Sequence, residues 1–531
     1  MPLTLEELEE IQADAMADDI EIDFDKMSLW SREKATAYFE GGGVEEEIQV
    51  SFTPLPKLTP QKFINKGEWM KNQSKNAKGD TYNIEFPHTF SQLSSYGPSW
   101  FTKAFHLTGV LSKDNAVEEL VEVKRCQGGG AAEKAFVTVR YKTDEPGLHT
   151  RLFAKFPHEA DPNHKHFISC VIKHDQPEVR WAQRLAHKGP ISAPKTYFAE
   201  YSSISTNYVL ITERIEFADE ERHPIGKAGK DVLKPMEIER VYDKFMDHLI
   251  GSDPLEYYTT LANALGKLVG WYKSNHDVGT ELNSYFPFSP PPTPAPAVNP
   301  MASQLVEMVT KTCRVMFDDD VAAPAYQAQL QREIKELAPH LPTIHNYLFS
   351  GDDYISYAHP NANIDNAFWW RDEEGKLHCG LIDFGGYGCS NVATHLSSAL
   401  MSAEPRLHVE HTETMLKAFI DGSLSMGGPK YDLEELKLRL ILVQAMQVVA
   451  GAPGALLQVF QVYKKEEWLT IKEKTDPRIT GRDMRAFLGR AFATGPIATP
   501  MAIWKRMGSF EKVKAFVTTD KAKKAVMVVK Q

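Results

Sequence analysis

Residues 356–388 constrain the fold of this chain more than any other segment. They contain His359, a polar loop that ends at Asn366, two short strands of aromatic and aliphatic residues around a turn, and then Asp383 after two aliphatic residues. This order predicts a β-hairpin with an oxygen-bearing side chain next to each of its ends. Asn and Asp oxygens are ligands that Mg²⁺ accepts, so the pattern favours one metal ion bound by Asn366 and Asp383. The alternative is an ordinary Asn turn and a helix-capping Asp.

Composition limits the class of protein. At 531 residues the chain is too long for one compact core, so two or more lobes are expected. The net charge of −11 argues against nucleic acid as a partner, because binding to phosphate backbones needs a basic face. The five cysteines are scattered and form no C-x-x-C pair, which argues against a disulfide framework or a zinc ribbon.

The sequence also predicts the compartment. The N-terminus is acidic and lacks the apolar core of a signal peptide. The most apolar run, residues 433–449, carries several charged and amide side chains and is typical of a buried helix rather than a membrane span. We therefore expect a cytoplasmic protein with no membrane-spanning segment.

The pattern of apolar residues changes along the chain. Alternating, β-rich segments separated by turn residues come first, with one predicted helix at 175–188, and helices dominate after Glu213. The predicted strands are 104–110, 118–126, 134–141, 149–156, 196–201 and 208–213. We expect an α+β protein with a small five-stranded lobe and a larger helical lobe.

This change in pattern suggests four regions. They are a partly helical N-terminal extension (1–104), a small lobe (105–213), a helical lobe with a proline-rich insertion at 287–300 (214–475), and a C-terminal helical extension (476–531). The N-terminal extension is a candidate surface for a protein partner.

Further candidate site residues come before the hairpin in the sequence. Gly128, Gly129 and Gly130 lie between two predicted strands, where glycines let backbone N–H groups approach phosphate oxygens, although such a run is more often a plain hairpin turn. Lys155 lies in an apolar strand and needs an anionic partner if it is buried; Glu178 on the next helix is the candidate. The alternative is an edge-strand lysine that reaches solvent.

Residues 209–213 form another candidate ligand site. They are an apolar strand that ends in Glu213 where the strand-rich region gives way to helices. An adenine ring could lie against such a strand and bind its backbone. A core strand that ends in solvated charges explains the residues nearly as well.

Taken in order, these elements resemble the aminoglycoside phosphotransferase and choline kinase-like superfamily, and its ecdysteroid kinase-like branch most of all. The resemblance rests on the glycine run, Lys155, Glu178, the strand up to Glu213, the His359 loop and Leu381-Ile-Asp383, and it covers about residues 105–460. It implies a bilobal protein-kinase-like fold and an ATP- and Mg-dependent kinase that acts on the hydroxyl of a small molecule. It also implies that Lys155 binds phosphates with Glu178 as its partner, and that Asn366 and Asp383 bind the metal.

One departure from that family concerns the catalytic position. The family's loop reads His-Gly-Asp, whereas this chain has His359-Pro360-Asn361, and an amide cannot accept a proton from an alcohol. Asp365 is the only nearby candidate base, but it is adjacent to Asn366 and should point the other way in an extended loop. His395 also stands where the family usually has a structural Asp. Two hypotheses therefore stay open: a slow small-molecule kinase, or a pseudokinase that binds nucleotide or acts as a scaffold.

Overall fold

The computed structural model describes a large part of the chain. The described residues are 73–126, 132–158, 175–218, 234–241, 244–247, 250, 253–286, 288, 290–291, 293–296, 302–451, 456, 458–460, 462–481 and 484–525. They divide into two compact units. The first contains the described residues up to Glu216 together with Ile382–Tyr387, and the second contains Phe217–Leu381 and the described residues from Gly388 onward.

The first unit is built on a five-stranded sheet. Its strands are β1 (Val117–Arg125), β2 (Glu133–Tyr141), β3 (Arg151–Phe156), β4 (Thr196–Tyr201) and β5 (Tyr208–Glu213). Their order in the sheet is β1-β2-β3-β5-β4, and each neighbouring pair is antiparallel. β3 is therefore the central strand, and its backbone is hydrogen-bonded to a neighbouring strand on each side.

In its described part, this unit has the helices α1 (Phe90–Ser95), α2 (Gly97–Thr108) and α3 (Asp175–Arg184). Trp100, Phe101, Ala104 and Phe105 of α2 are all buried, and their spacing places them on one helical face against the sheet. The prediction of a strand at 104–110 was therefore wrong. The short alternation there is the end of an amphipathic helix, which stops at Gly109 in the left-handed conformation (φ 72°).

The second unit is mainly helical. Its longer helices are α4 (Pro254–Ser274), α5 (His276–Tyr285), α8 (Pro324–Leu337), α9 (Leu341–Leu348), α10 (Val392–Leu400), α11 (Pro405–Ser425), α12 (Leu433–Met446), α15 (Met484–Ala493), α16 (Thr499–Arg506) and α17 (Ser509–Val517). Its shorter helices are α6 (Ala302–Glu307), α7 (Asp319–Ala322), α13 (Lys465–Thr470), α14 (Pro477–Thr480) and α18 (Asp520–Lys523). The described residues of this unit also form the short strands β6 (Glu239–Arg240), β7 (Ile355–Ala358), β8 (Ala367–Arg371), β9 (Leu377–Leu381) and β10 (Gly388–Asn391).

Glycines allow α4 and α11 to approach each other closely. A Cβ atom added to Gly266 would lie 2.1 Å from the carbonyl oxygen of Phe419, and one added to Gly422 would lie 2.1 Å from that of Asn263. Backbone atoms cannot move aside as a flexible side chain can. The two long helices of this core therefore depend on glycine at both positions.

The predicted hairpin is present in the second unit. β8 and β9 are antiparallel, with Ala367 opposite Leu381 and Arg371 opposite Leu377, and β6 extends this small sheet. β7 pairs with β10 in a separate two-stranded sheet. The polar loop from His359 to Asn366 therefore runs from the end of β7 to the start of β8.

The α+β class is confirmed, with a five-stranded antiparallel sheet in one unit and a mainly helical second unit. The four region boundaries drawn from the sequence remain predictions. Within the described ranges, none of the helices combines the length and the apolar character that crossing a bilayer requires.

Candidate functional site

Lys155 is buried in the first unit and forms two short ion pairs. It lies on the central strand β3, and its side chain is 7% exposed. Its Nζ donates to Glu178 Oε2 at 2.6 Å and to Asp383 Oδ1 at 2.6 Å. A buried ammonium is stable only when its charge is compensated, and here two carboxylates compensate it.

The electrostatic balance keeps this lysine charged. Burial disfavours the ammonium, but the carboxylates of Asp383 and Glu178 outweigh burial and raise the pKa of Lys155 above its usual range. An ammonium has three N–H donors, and the two carboxylates accept two of them. The third N–H group of Lys155 could donate a hydrogen bond to an oxygen of a ligand.

Helix α3 positions Glu178. The buried face of α3 carries Glu178 and Trp181, and the ring of Trp181 stacks on Phe384 with centroids 4.3 Å apart and planes 13° apart. Trp181 also contacts Tyr387 at 4.8 Å. The helix that supplies one carboxylate therefore also packs on the segment that supplies the other.

The backbone of Asp383 is in an unusual conformation. Its φ is 62°, in the left-handed region that non-glycine residues seldom adopt, and Gly386 also has a positive φ of 70°. Such strain costs on the order of 1–3 kcal/mol and often marks functional positions. Asp tolerates the region better than most residues, and its side chain here is 42% exposed.

Sequence reasoning missed a second lysine next to this cluster. Lys134 on β2 is the register partner of Lys155 on β3, so both side chains point to the same face of the sheet. Burial and the charge of Lys155 lower the pKa of Lys134, while Asp383, Cys126 and Glu178 act in the opposite direction. Alternation along each strand shows which residues share a face with Lys134 or with Lys155. Only the pairing register of β2 and β3 shows that the two lysines are neighbours.

The loop from His359 to Asn366 in the second unit is held by amide and backbone hydrogen bonds. The buried His359 accepts the backbone N–H of Asn361 at its Nδ1 at 3.2 Å. The side chain of Asn366 donates to the carbonyl of Asn361 at 2.8 Å, and the Asn363 side chain donates to Asn361 Oδ1. Asn361, the residue at the predicted catalytic position, is thus fixed by hydrogen bonds to three neighbours.

Two further residues of interest are Asp365, which belongs to this loop, and His395, which lies outside it. Asp365 Oδ2 is 3.9 Å from Lys244 Nζ, and Asp365 Oδ1 is buried without a hydrogen-bond partner among the described residues. His395 is buried with Nε2 3.2 Å from the carbonyl oxygen of Ser356, so Nε2 carries the proton. Burial lowers the pKa of His395 to about 4 and keeps it neutral.

Glu213 does not join the Lys155 cluster. It pairs with Leu152, three residues from Lys155, which is about 10 Å along β3. Its Oε1 accepts the backbone N–H of Lys195 at 2.8 Å, and its Oε2 is 2.9 Å from Nε2 of His149. The predicted role of this strand in adenine binding stays a prediction.

The predicted glycine-rich phosphate loop lies outside the described residues. This applies to Gly128, Gly129 and Gly130, which fall between Cys126 and Ala132. The strands that flank it, β1 and β2, do pair, with Arg125 opposite Ala135.

Asp383 offers one carboxylate of the kind that magnesium binds. No group of three or more His, Cys, Asp or Glu side chains within the described ranges could hold a metal ion. Mg²⁺ typically takes one or two protein carboxylates and completes its shell with water and phosphate oxygens. Asp383, partly exposed, is suited to that role, and the prediction that Asn366 shares the ion with it stays a prediction.

Comparison with known proteins gives structural matches only. No family model matches the chain, and no curated protein does. The wild-type aminoglycoside 2'-phosphotransferase-IIIa in its GDP complex is 14% identical, with a TM-score of 0.35 over 66% of this chain and 90% of its own. A choline kinase from Cryptosporidium parvum is 10% identical, with a TM-score of 0.33 over 75% and 90%. An ethanolamine kinase from Plasmodium vivax is 13% identical, with a TM-score of 0.35 over 80% and 92%.

Proposed function

We propose that this chain binds Mg-ATP and transfers the terminal phosphoryl group to a hydroxyl of a small molecule. The observation that carries the proposal is the buried Lys155 ammonium held between Glu178 and Asp383, at 2.6 Å from each. An ammonium fixed in this way is a pre-oriented donor for phosphate oxygens. Phosphoryl transfer needs mostly positioning and charge stabilisation, which such a cluster supplies.

Each residue of the cluster has a distinct role in this proposal. Lys155 binds the α- and β-phosphates, and Glu178 holds the ammonium in place. The carboxylate of Asp383 would hold magnesium, and the side-chain oxygen of Asn366, predicted from the sequence, would be a further ligand. When bound, the ion neutralises negative charge on the phosphate oxygens.

In this proposal, the part of the site that would activate the acceptor hydroxyl lacks a carboxylate at position 361. In the proposal His359 fixes the backbone of Asn361, and the Asn361 amide orients the acceptor hydroxyl without accepting its proton. Asp365 is the only candidate base close in sequence. General-base catalysis contributes about 10²- to 10⁴-fold, so loss of the acid predicts a slow enzyme rather than an inert one.

A second candidate function is a pseudokinase that binds nucleotide without transferring phosphate. The hydrogen bond from the Asn363 side chain to Asn361 Oδ1 favours it, because it engages the one oxygen that would otherwise face an acceptor. In this version the Lys155 cluster is retained for binding alone. The resemblance to the ecdysteroid kinase-like branch supports the first candidate function, the kinase, but does not identify its acceptor.

The decisive experiment is transfer of ³²P from labelled ATP to a panel of hydroxylated metabolites, with Mg²⁺, at high enzyme concentration. The kinase proposal predicts slow transfer to at least one acceptor and none with Asp383→Asn. Asp372→Asn, at a residue of the turn between β8 and β9, is a matched control. Nucleotide binding without transfer to any acceptor would favour the pseudokinase, and no binding at all would overturn both.

A further inference from the structure

Residues 73–82, here called the strap, precede the sheet in the sequence and pack along its edge. The backbone N–H of Asp80 donates to the carbonyl of Tyr201 at 2.8 Å, at the end of the edge strand β4. The Asp80 carboxylate accepts the backbone N–H of Ser203 at 3.0 Å and its hydroxyl at 3.1 Å. Asn207 donates to the carbonyl of Gln73 at 2.8 Å. The strap is therefore attached to the β4–β5 hairpin by both backbone and side-chain bonds.

A buried carboxylate fixes the middle of the strap. Glu200 on β4 is fully buried, and it accepts the backbone N–H groups of Thr81 at 3.1 Å and Tyr82 at 2.6 Å. Gly79 packs directly on it, because a Cβ atom at that position would lie 2.1 Å from Glu200 Cδ. Since Glu200 is buried and hydrogen-bonded, it cannot easily give way.

The strap also contacts helix α3. Nη1 of Arg180 donates to the Thr81 hydroxyl at 2.8 Å, and Nη2 lies 3.7 Å from Asp80 Oδ2. The Arg180 and Asp80 side chains are only 3% and 6% exposed. Gln183 donates to the same Thr81 hydroxyl at 3.1 Å and to the carbonyl of Ala199 at 2.7 Å. The Thr81 hydroxyl thus joins two side chains of α3 to the strap.

The residues of α3 that contact the strap lie next to the one that contacts Lys155. Arg180 is two residues from Glu178, and Gln183 is about one and a half turns from it. A helix moves as a rigid element over such a length. Any displacement of α3 at Thr81 therefore changes the distance between the Glu178 carboxylate and Lys155.

We propose that the strap holds helix α3 in the position in which Glu178 pairs with Lys155, and that Arg180 and Thr81 are positioning residues for the nucleotide phosphates. Only the second part of this inference, the positioning of nucleotide phosphates, rests on the proposed function. It extends the site into a segment that the sequence pattern treats as an N-terminal extension.

Thr81→Val in the full chain tests the mechanical part without any nucleotide. Valine keeps the shape of the side chain and removes the hydroxyl that Arg180 and Gln183 contact. Thr102→Val is the control, because Thr102 bonds to Pro98 and Val117 in the same unit but not to α3. Hydrogen–deuterium exchange across residues 175–184 should become faster in Thr81→Val and stay unchanged in Thr102→Val. Equal exchange in the two variants would overturn the proposal.

A double-mutant cycle with Glu178→Gln tests the consequence for the site. Thr81→Val removes the hydroxyl that accepts from Arg180 and Gln183, and it should raise the Kd for Mg-ATP by about 2- to 10-fold, in the range of the free energy of one or two hydrogen bonds. In the Glu178→Gln background it should have no further effect, because the strap acts through Glu178. Fully additive effects, or the same rise in Kd with Thr102→Val, would indicate a merely structural role and contradict the inference.

A second variant protects the test from an unfavourable folding effect of Thr81→Val. Thr81→Ser keeps the hydroxyl that Arg180 and Gln183 contact and removes only a methyl group, so exchange in 175–184 should stay at the wild-type rate. If the wild-type chain binds no Mg-ATP, the proposed function fails, and the exchange data still decide whether the strap holds the helix.

Discussion

The Lys155 cluster and the His359–Asn366 loop solve the same problem of buried polar groups in opposite ways. In the cluster, a charged lysine is compensated by two carboxylates at 2.6 Å. In the loop, the position that the sequence predicts to be catalytic carries the amide Asn361, and its neighbours are other amides and a backbone-bonded histidine. Under the proposed function, the charges of the cluster bind the phosphates, whereas the loop lacks a charge that could activate an acceptor.

The largest expected effect comes from restoring that missing charge. Asn361→Asp supplies a carboxylate that can accept the acceptor's proton, and phosphoryl transfer in the ³²P assay should rise by about 10²- to 10⁴-fold. Asn363→Asp is the matched control in the same loop and should give no gain. If Asn361→Asp is folded and its rate of phosphoryl transfer is unchanged, the loop from His359 to Asn366 is not the catalytic loop.

The next effect concerns the stability of the cluster. Lys155→Met leaves the buried Glu178 carboxylate without its cation, and we expect the free energy of unfolding to fall by about 3 kcal/mol, less than for a fully buried pair because Asp383 is partly exposed. Urea denaturation measures this change.

Lys195→Met is the control for that measurement, because Lys195 is exposed and donates only to the carbonyl of Gly147 among the described hydrogen bonds of its side chain. It should change stability by no more than about 0.5 kcal/mol. Equal losses in the two variants would mean that the buried ion pairs contribute nothing specific.

The smallest expected effect depends on pH and tests whether the buried His395 next to the loop is held neutral. The folded-state pKa of His395 is lowered to about 4 from an ordinary value of 6.5, so its contribution to stability is present above pH 6.5 and is lost as the pH falls toward 4. From pH 7 to pH 5 this one group should cost about 2 kcal/mol of unfolding free energy.

His395→Gln should make the pH dependence of urea unfolding shallower than in the wild type by that amount. The carboxyl of Asp247, whose pKa burial raises to about 6, works in the opposite direction, but it is the same in the wild type and in the variant. An unchanged slope with His395→Gln would show that His395 is not held neutral.

The sequence was most informative where local pattern determines structure. The β8–β9 hairpin, strands β1 to β5 and helix α3 follow from alternation, turn residues and helical periodicity, and the structure shows all of them. The strand predicted at 104–110 failed because a few alternating residues at the end of a helix imitate a strand, while Trp100 and Phe101 just before them reveal the helical face.

Contacts between distant segments were much harder to anticipate. Nothing in the sequence around Thr81 indicates that it bonds to Arg180, or that Gly79 packs on Glu200, because those contacts depend on how the strap crosses the sheet. The pairing of Lys134 with Lys155 likewise depends on strand register, which alternation alone leaves open.

The most direct test of the central claim is isothermal titration calorimetry of Mg-ATP with the wild-type chain and with Lys155→Met. The account predicts saturable, magnesium-dependent binding to the wild type and a Kd raised by about 10- to 100-fold in the variant, as expected for loss of a charge-assisted hydrogen bond. Absence of binding to the wild type, or the same Kd for both proteins, would contradict it.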